Sequence, residues 1–589
     1  QLKYSENDNQ TNNIMQNKWF FKELSTEEES KKEKLAKELN LPPTIVKMLL
    51  LRGITTQKEV ESFFNPKLED LHNPMLIQDM DKAVKRLTRA LEQKENILVY
   101  GDYDVDGTTA VALVYKFLKP LICSPQVLDY YIPDRYNEGY GISFKGIDYA
   151  KEHNINLIIA LDCGIKAIDE VEYAKSLGID CIICDHHTTD IALPRAVAVL
   201  DSKRSDDNYP YKHLSGCGVG YKLMQAFASA NGIPKSDVDK HLDLLAVSIA
   251  SDIVPITGEN RILAYYGIKR LNEQPCCGLK AIMEVCEMTH TKEISINDIV
   301  FKIGPRINAS GRMKSGREVV ELLISNDFSQ AYQLSKNINS YNDERRNIDK
   351  DTTLEAEKVI NETADTNNSS IIVYNPNWHK GIVGIVASRL TEKYYKPTIV
   401  LTKANDMISG SARSIQGFDL YQAIDSCRGL LENFGGHTYA AGLSLKEENL
   451  DKFKQQFCEY VSNNITPELF IPTIEIDDTI QFKDIDSRFV NILRSFEPFG
   501  PGNPKPYFCT KNIFDYNNMS KIVGQTAEHL KLEITDYSIN SRMSGIAFKM
   551  SEYNKYLKEK TPINIVYTIE DNTYFKPATT QLMVKDIKY

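Results

Sequence analysis

Residues 97–109 of this chain read ILVYGDYDVDGTT, four apolar residues and a glycine followed by three aspartates at alternate positions. The apolar part, residues 97–100, is typical of a strand buried on both faces. The residues after the acidic part, 108–118, have the pattern of a helix. The stretch therefore predicts a strand, an acidic turn and a helix in succession, the unit from which parallel sheets are built.

The same alternation continues on both sides of this stretch. Residues 127–132, 157–161 and 181–184 are further apolar segments with the length of strands, and residues 81–93 and 168–177 have a helical pattern. Strands that alternate with helices predict a mostly parallel sheet covered by helices on both faces. We therefore expect an α/β fold for this part of the chain.

Acidic residues and histidines stand directly after these strands and after one apolar helix at residues 244–250. They are Asp102, Asp104, Asp106, Asp162, Asp185, His186, His187 and Asp252. In an open parallel sheet the carboxyl ends of the strands line one crevice, so these side chains are expected to converge although they are distant in sequence.

Carboxylates gathered in this way need positive charge, because like charges about 4 Å apart repel by about 4 kcal/mol at an effective dielectric constant near 20. No arginine lies within the motifs, and carboxylates with imidazole suit Mg²⁺ or Mn²⁺. A pair of such ions can activate a water and stabilise the oxygens of a displacement at phosphorus. The residues alone thus predict a two-metal phosphodiesterase site. A solvated turn or a calcium loop is the alternative for the D-x-D-x-D segment taken alone, but it lacks the EF-hand spacing.

The composition restricts the class of protein. A length of 589 residues suggests three or four domains, and a hydrophobic content of 42% is typical of globular proteins. We find no apolar run long enough for a membrane span and no signal peptide, so a cytoplasmic location is the default. The net charge of −10 argues against indiscriminate binding to duplex DNA but leaves room for a local basic groove.

Two local features of the sequence have simple interpretations. The C-x-x-C of Cys181 and Cys184 lies in an apolar segment, so we expect buried free thiols rather than zinc ligands. The chain opens on Gln1, which leaves open whether residues 1–14 are native and whether Met15 is the start.

Changes of pattern divide the chain into regions. Residues 318–362 are mainly helical and charged towards 342–350, which predicts a long helix between two lobes, and 363–370 has the composition of a linker. We expect a leader and helical region (1–79), a parallel-sheet domain (80–317), a bridging helix with linker (318–366), a smaller α/β domain (367–465) and a β-barrel (466–589).

The acidic motifs resemble those of the DHH phosphoesterase superfamily. Residues 100–109, 161–164, 185–187 and 248–255 are similar to its four metal-binding motifs. More specific matches are to the bacterial single-stranded-DNA-specific exonucleases of the superfamily, at residues 132–135, 138–141, 304–312, 378–389, 410–413, 435–437 and 498–504. The resemblance extends over about residues 15–589, and the further C-terminal domain of some relatives is not expected.

The resemblance implies a fold as well as a chemistry. It implies a mostly parallel-sheet DHH domain, a long bridging helix, a smaller α/β DHHA1 domain that binds substrate, and a C-terminal OB-fold-like β-barrel that binds nucleic acid. It also implies two divalent cations, Mn²⁺ or Mg²⁺, as cofactors.

Roles for individual residues follow from the resemblance. The expected direct metal ligands are Asp104, Asp106, Asp162, His186 and Asp252, with Asp162 bridging the ions. Asp102 and Asp185 would ligate metal or orient its ligands, and His187 would contact the scissile phosphate and assist the leaving oxygen. The residues expected to bind the DNA backbone or a 5′ phosphate are Arg135, Arg306, Arg312, Ser411, Arg413 and His437.

The activity implied by the resemblance is a 5′→3′ exonuclease that releases 5′ mononucleotides from single-stranded DNA in recombination and repair. The implied partners are a single-strand-binding protein and a RecQ-type helicase, and the implied state is a monomer. Two alternatives stay open at this point. One is a smaller-substrate DHH enzyme, such as an oligoribonucleotide or cyclic-dinucleotide phosphodiesterase or a manganese pyrophosphatase. The other is an inactive scaffold that binds single strands.

Three further features have competing interpretations in the sequence. Arg306 and Arg312 could be structural ion-pair partners across the lobes instead of phosphate ligands. The glycine-rich segment 216–220 is interpreted as a packing turn rather than a phosphate loop, and Trp378 as a core residue rather than a base-stacking platform.

Overall fold

The computed structural model of the chain describes residues 17–189, 192–288, 293–363, 368–404, 406–536, 541–572 and 579–589. The questions about residues 1–14 and Met15, and the middle of the expected linker, lie outside these ranges. In the described ranges, no helix combines the length and the apolar character needed to cross a membrane.

The N-terminal region is helical as expected but begins with a strand that the sequence did not predict. It contains β1 (Lys18–Phe21), α1 (Thr26–Leu39), α2 (Pro43–Leu50) and α3 (Gln57–Phe64). β1 pairs in parallel with residues Thr473–Ile476, and Trp19 Nε1 donates to Asp586 Oδ2 at 2.7 Å. No local pattern in the sequence indicates this strand, because the segment pairs with a strand more than 400 residues away.

The first lobe is a five-stranded parallel sheet with helices on both faces, which confirms the α/β fold class. Its strands are β2 (Ile97–Gly101), β3 (Leu128–Tyr131), β4 (Leu157–Leu161), β5 (Asp180–Cys184) and β6 (Ala198–Leu200), in the order β3-β2-β4-β5-β6. Its helices are α4 (Met80–Glu92), α5 (Val105–Leu118), α6 (Phe144–Glu152), α7 (Ile168–Ser176), α8 (Gly216–Ala230), α9 (Ser236–Asp239), α10 (Leu242–Ser251), α11 (Gly258–Glu273), α12 (Cys277–Val285), α13 (Ile296–Asp298), α14 (Gly304–Met313) and α15 (Gly316–Ile324).

The register of the sheet aligns the ends of its central strands. Gly101 pairs with Leu161, Leu161 with Cys184, and Cys184 with Leu200. These strands are buried on both faces, and Cys181 and Cys184 are buried free thiols as expected. The residues that follow each strand consequently begin at the same edge of the sheet.

A single long helix joins the two lobes, as the sequence predicted, but it begins ten residues later than predicted, because residues 318–324 belong to the separate helix α15. α16 (Phe328–Glu362) has 35 residues. Its buried Asp349 accepts a hydrogen bond of 2.7 Å from Arg389 Nη2, which ties the helix to the second lobe.

The second lobe is a smaller five-stranded mixed sheet. Its strands are β7 (Ile371–Tyr374), β8 (Thr398–Ala404), β9 (Met407–Arg413), β10 (Asn433–His437) and β11 (Ala440–Leu445), in the order β10-β11-β9-β8-β7. Its helices are α17 (Val383–Tyr394), α18 (Leu420–Asp425) and α19 (Leu450–Asn464). α18 and α19 cover one face, and α17 lies over β8 and β9 on the other, where Trp378 is a core residue as expected.

The C-terminal region is a closed barrel, which confirms the OB-fold-like prediction. Its strands are β12 (Thr473–Ile476), β13 (Asp478–Thr479), β14 (Phe508–Asp515), β15 (Lys521–Val523), β16 (His529–Asp536), β17 (Ser541–Ala547), β18 (Ile563–Asn572) and β19 (Thr579–Lys588), with helices α20 (Ser487–Arg494) and α21 (Asn554–Lys558). The order β14-β18-β19-β17-β16 closes through the pairing of β16 with β14. The residue boundaries between the regions stay a prediction.

Candidate metal centre and nucleic-acid interface

The acidic residues and histidines of the first lobe meet at the carboxyl ends of β2, β4 and β5. His186 Nε2 lies 3.1 Å from Asp162 Oδ1, 3.6 Å from Asp252 Oδ2 and 3.7 Å from Asp106 Oδ2. Three sets of side chains each bring one potential ligand atom per residue within 4.8 Å of one another. The sets are Asp162, His186 and His187; Asp106, His186 and Asp252; and Asp102, Asp104 and Asp162. We call these residues together the acid cluster.

Several polar atoms of the acid cluster are buried without a hydrogen-bond partner among the described residues. They are Asp102 Oδ1, Asp162 Oδ1, Asp252 Oδ2 and both ring nitrogens of His186. Burial and the neighbouring carboxylates raise the pKa of Asp162 and Asp252, the latter to about 9, and burial lowers the pKa of His186. Each unpartnered group of this kind costs about 1–3 kcal/mol. Oxygen atoms with one neutral imidazole are a donor set that fits Mn²⁺ or Mg²⁺.

Asp106 is held by the start of α8. Its Oδ2 accepts from Gly216 N at 2.6 Å, and its Oδ1 accepts from Cys217 N at 2.8 Å and Ser248 Oγ at 2.7 Å. The glycine-rich segment 216–220 is thus the first turn of a helix rather than a separate turn, and its amides bind a carboxylate of the protein. A Cβ atom on residue 216 would lie 2.5 Å from Asp162 Cβ, so only glycine fits there.

Asp185 and Asp102 have different surroundings, although the same two possible roles, metal ligand or residue that orients a ligand, were expected for both from the sequence. Asp185 accepts from Ile165 N at 2.9 Å and from His186 N at 2.7 Å, and its Oδ1 lies 2.7 Å from His187 Nδ1. Burial would raise the pKa of Asp185, but the bonds from His187 and the backbone outweigh burial and lower it. Asp185 therefore orients His187 and joins no ligand set, whereas Asp102 does join one.

Two further residues near the acid cluster were given no role from the sequence, although one of them, Tyr140, lies in the matching segment 138–141. Tyr140 donates its hydroxyl to Asp162 O at 2.7 Å, and the same hydroxyl lies 3.2 Å from His187 Nδ1. The two glycines that flank Tyr140 were the available signal in the sequence. In the structure both have a φ near +90°. Asp201 follows β6 as Asp185 follows β5. It is buried, and none of the described residues forms a hydrogen bond with its Oδ2. β6 has only three residues, too few for a periodic pattern.

An arginine cluster lies between the lobes. Burial, together with the charges of the other members, lowers the pKa of Arg312 to about 10. No member forms an ion pair with a carboxylate within the part of the chain that the structure describes, although Asp349 acts on Arg345 and Asp102 on Arg135 through their charges. A phosphate matches the planar guanidinium fork. The members of the arginine cluster are Arg135, Arg312, Arg345 and Arg413.

The arginine cluster adjoins the acid cluster through Tyr103. The guanidinium of Arg135 lies over the Tyr103 ring at 4.8 Å, and the charge of Arg135 lowers the pKa of Asp102, which burial raises. A Cβ atom on Gly311 would lie 2.5 Å from Tyr103 O, so α14 packs directly on the acidic turn. Arg345 is on the bridging helix, in the charged stretch 342–350, where the sequence did not single it out.

Within the described ranges, Arg306 and Arg312 do not form the ion pairs that were the alternative interpretation. Arg306 donates to Asn339 Oδ1 on α16 at 2.8 Å and to Lys302 O, also at 2.8 Å. Arg312 donates to Gly381 O of the second lobe at 3.3 Å. Arg306 thus contacts the bridging helix, while Arg312 spans the gap between the lobes.

Ser411 and Arg413 lie together in the second lobe, as expected. Arg413 Nη1 donates to Ser411 Oγ at 2.8 Å. A Cβ atom on Gly384, in the first turn of α17, would lie 3.1 Å from Ser411 Oγ, so the amino end of this helix faces the pair. Helix amino ends favour phosphate. His437 is exposed two strands away on the same side of the sheet, because Ala440 pairs with both Arg413 and His437.

Comparison with known protein families matches three parts of the chain. A model described as the DHH family, N-terminal domain, matches residues 96–249. A model of the DHHA1 domain matches residues 367–463, and a model of the RecJ OB domain matches residues 476–586.

Two curated relatives are similar over almost the whole chain. Single-stranded-DNA-specific exonuclease RecJ of Bacillus subtilis (strain 168) is 35% identical over 566 residues, which are 96% of this chain and 70% of the relative. The protein of the same name from Escherichia coli (strain K12) is 31% identical, over 93% of this chain and 96% of the relative.

Solved structures are similar in fold. The structure of RecJ in complex with Mn²⁺ from Thermus thermophilus has a TM-score of 0.82 at 23% identity, over 97% of this chain and 79% of that one. A structure of exonuclease RecJ bound to manganese has a TM-score of 0.58 at 28% identity, over 68% of this chain and 98% of that one.

Proposed function

Because the chain belongs to the RecJ family of single-stranded-DNA-specific exonucleases, we propose that it degrades single-stranded DNA from the 5′ end by two-metal hydrolysis. The observation that carries this proposal is the acid cluster, whose buried unpartnered ligand atoms adjoin an arginine cluster without carboxylate partners in the described ranges. The acid cluster is suited to bind cations, and the arginine cluster is suited to bind the phosphates of a nucleic-acid strand.

The residues that would hold the cations are Asp102, Asp104, Asp106, Asp162, His186 and Asp252, with Asp162 shared between two ligand sets. Relatives of known structure contain Mn²⁺ or Mg²⁺. When bound, such ions lower the pKa of a water and stabilise charge on phosphoryl oxygens. The backbone amides of Gly216 and Cys217, in the first turn of α8, would hold the Asp106 carboxylate in place throughout turnover, since these hydrogen bonds do not depend on a bound cation or strand.

His187 would contact the scissile phosphate and donate a proton to the leaving oxygen. Its side chain is 40% exposed, and its Nδ1 lies 2.7 Å from Asp185 Oδ1. Nε2, which lies 3.4 Å from the Tyr140 hydroxyl, would be the nitrogen that contacts the substrate. Burial lowers the pKa of His187, but the contact with Asp185 outweighs burial and raises the pKa, which favours the proton-donating form.

The 5′ end would be bound in the second lobe. Ser411 and Arg413, together with the first turn of α17, would bind a terminal 5′ phosphate, and Arg135 and Arg312 would bind the phosphates that follow. Cleavage of the first accessible phosphodiester would release 5′ mononucleotides. The barrel would hold the incoming strand by charge and stacking.

We extend the proposal to the cell on the basis of the family. The protein would act in DNA recombination and repair, as a cytoplasmic monomer, with a single-strand-binding protein and a RecQ-type helicase as partners.

The experiment uses single strands labelled at the 5′ or the 3′ end, incubated with Mn²⁺, Mg²⁺ or EDTA. We expect labelled mononucleotide to appear first from the 5′-labelled strand, and only with a metal. Preferred cleavage of dinucleotides would instead support the smaller-substrate enzymes. Binding without cleavage in either metal would support the inactive scaffold.

A further inference from the structure

A β-branched residue adopts a left-handed backbone conformation immediately beside the acid cluster. Ile253 has a φ of +58° and follows Asp252, whose Oδ2 is 3.6 Å from His186 Nε2. Gly, Asn and Asp adopt this conformation at least cost, whereas a β-branched residue in it is an outlier. None of the other left-handed residues in the described part of the chain is β-branched.

The conformation of Ile253 is imposed by the backbone on both sides. Asp252 caps α10 and donates its N–H to Ser248 O at 2.9 Å. Ile256 donates its N–H to Pro501 O at 2.6 Å, and Tyr211 donates its hydroxyl to Pro255 O at 3.1 Å. The residue after a helix cap is commonly glycine. Glycine or asparagine would therefore follow the same path with less strain.

The Ile253 side chain is also mostly outside the hydrophobic core. It is 69% exposed, whereas Val254 and Ile256 on the same loop are buried. One exposed apolar side chain is ordinary, but this one combines exposure with backbone strain, and both disfavour isoleucine. Strained residues persist where their surroundings over-determine them, and they concentrate at ligand sites.

We propose that the Ile253 side chain contacts the nucleobase of the nucleotide whose phosphate is bound at the acid cluster, and so positions the strand for cleavage. This rests on the proposed function, because a nucleobase reaches this place only when a strand is bound there. The Cα atoms of consecutive residues are about 3.8 Å apart, so the side chain begins next to Asp252, one of the residues that would hold the cations and, through them, the phosphate. An apolar contact with a base face is independent of sequence, because every base has such a face.

The test compares the wild-type protein with Ile253→Gly and Ile253→Asn, which both tolerate the left-handed backbone. The substrates are 5′-phosphorylated strands of one sequence, either intact or with a single abasic site at one of the first few positions. At one position the abasic site is expected to lower the wild-type kcat/KM about fivefold, and both variants are expected to lose most of this discrimination. An equal abasic penalty in the wild type and the variants at every position would overturn the proposal.

A matched control tests whether the relief of backbone strain at residue 253, rather than the loss of the side chain, changes the abasic penalty. Lys94 is also left-handed, with a φ of +56°. It lies just before the amino end of β2, whereas the acid cluster lies at the carboxyl ends of the strands. Lys94→Gly should keep the full abasic penalty. Loss of the penalty in this variant as well would show that relaxed backbone, not the missing side chain, causes the change.

A second readout separates this proposal from the proposed function. Strands carrying 2-aminopurine at each of the first few positions in turn are titrated with Asp162→Ala protein and with the Asp162→Ala, Ile253→Gly double variant in Mn²⁺. A different fluorescence of the bound strand in the two proteins supports the base contact even if the wild type fails to cleave DNA. The same fluorescence in both overturns it, even if cleavage proceeds as proposed.

Discussion

His186 Nε2 lies 3.1 Å from Oδ1 of Asp162, and both atoms are buried without a hydrogen-bond partner among the described residues. A histidine and a carboxylate at this distance would ordinarily share a proton. Here the pKa of His186 is lowered by burial, so the ring favours its neutral form. Both atoms are therefore suited to bind a cation, and the first two predictions rest on this relationship.

Asp162→Ala should reduce turnover of single-stranded DNA by more than about a hundredfold. Loss of a residue that only hydrogen-bonds to a metal ligand costs about ten- to a hundredfold, and loss of a ligand shared by two ions should cost more. DNA binding should largely persist, since the arginine cluster is intact. Turnover is followed by release of labelled nucleotide, and binding by fluorescence anisotropy. Asp148→Ala, an exposed carboxylate on α6, is the control and should behave as wild type. Near-normal turnover of Asp162→Ala would refute the shared-ligand role.

Without metal, the stability of the protein should fall as the pH rises. The pKa of Asp252 is about 9 in the folded protein against an ordinary value of 3.8, with burial as the main cause. The folded state therefore binds more protons than the unfolded state between these values, and the free energy of unfolding decreases with pH across this window. In EDTA, the Tm is expected to fall from pH 5 to pH 9.

Two controls accompany this pH series. Asp252→Asn removes the titrating group at nearly constant shape, so its Tm in EDTA should vary less with pH. Saturating Mn²⁺ should raise the Tm most at high pH, where the ligands are deprotonated. A Tm in EDTA that rises over the same range would contradict the prediction.

Gly216→Ala should damage the site from within the first turn of α8. The added methyl would lie 2.5 Å from Asp162 Cβ and 2.6 Å from Asp162 Oδ1, so Asp162 must move. We expect a loss of most activity and about 1–3 kcal/mol of stability, measured by urea unfolding. In Gly218→Ala, two residues away, the closest atom to the methyl would be 3.4 Å distant, and activity should be retained. Equal activity of both variants would contradict the close packing.

Arg413→Gln should remove the preference for a 5′ phosphate. The guanidinium is hydrogen-bonded to Ser411 and has no carboxylate partner in the described residues, so its loss leaves the phosphate without a charged donor. The ratio of kcat/KM for 5′-phosphorylated over 5′-hydroxyl strands should fall about ten- to a hundredfold. Arg428→Gln removes an exposed arginine paired with Asp425 and should leave the ratio unchanged. An unchanged ratio in Arg413→Gln would place the 5′ phosphate elsewhere.

The sequence by itself determined the elements whose pattern is local. An apolar run such as residues 157–161 is long enough to identify a buried strand, and Asp162 follows it directly. Because parallel strands end at one edge of a sheet, convergence of Asp162 with His186 could be predicted before any contact was known. The bridging helix was predicted for the same reason, since its period appears within one segment. The barrel was predicted from a succession of short strand-like segments and from the resemblance to the family.

The tertiary structure decided what depends on atoms distant in the chain. β1 and β6 are too short to show a period, and each is stabilised by a partner strand that local sequence does not indicate. Asp185 and Asp102 both follow strands in acidic motifs, yet only packing places the amide of Ile165 on the first and leaves an oxygen of the second unpartnered among the described residues. Local periodicity thus determines where a polar group stands on an element, whereas desolvation and hydrogen bonding, which act across space, decide what that group binds.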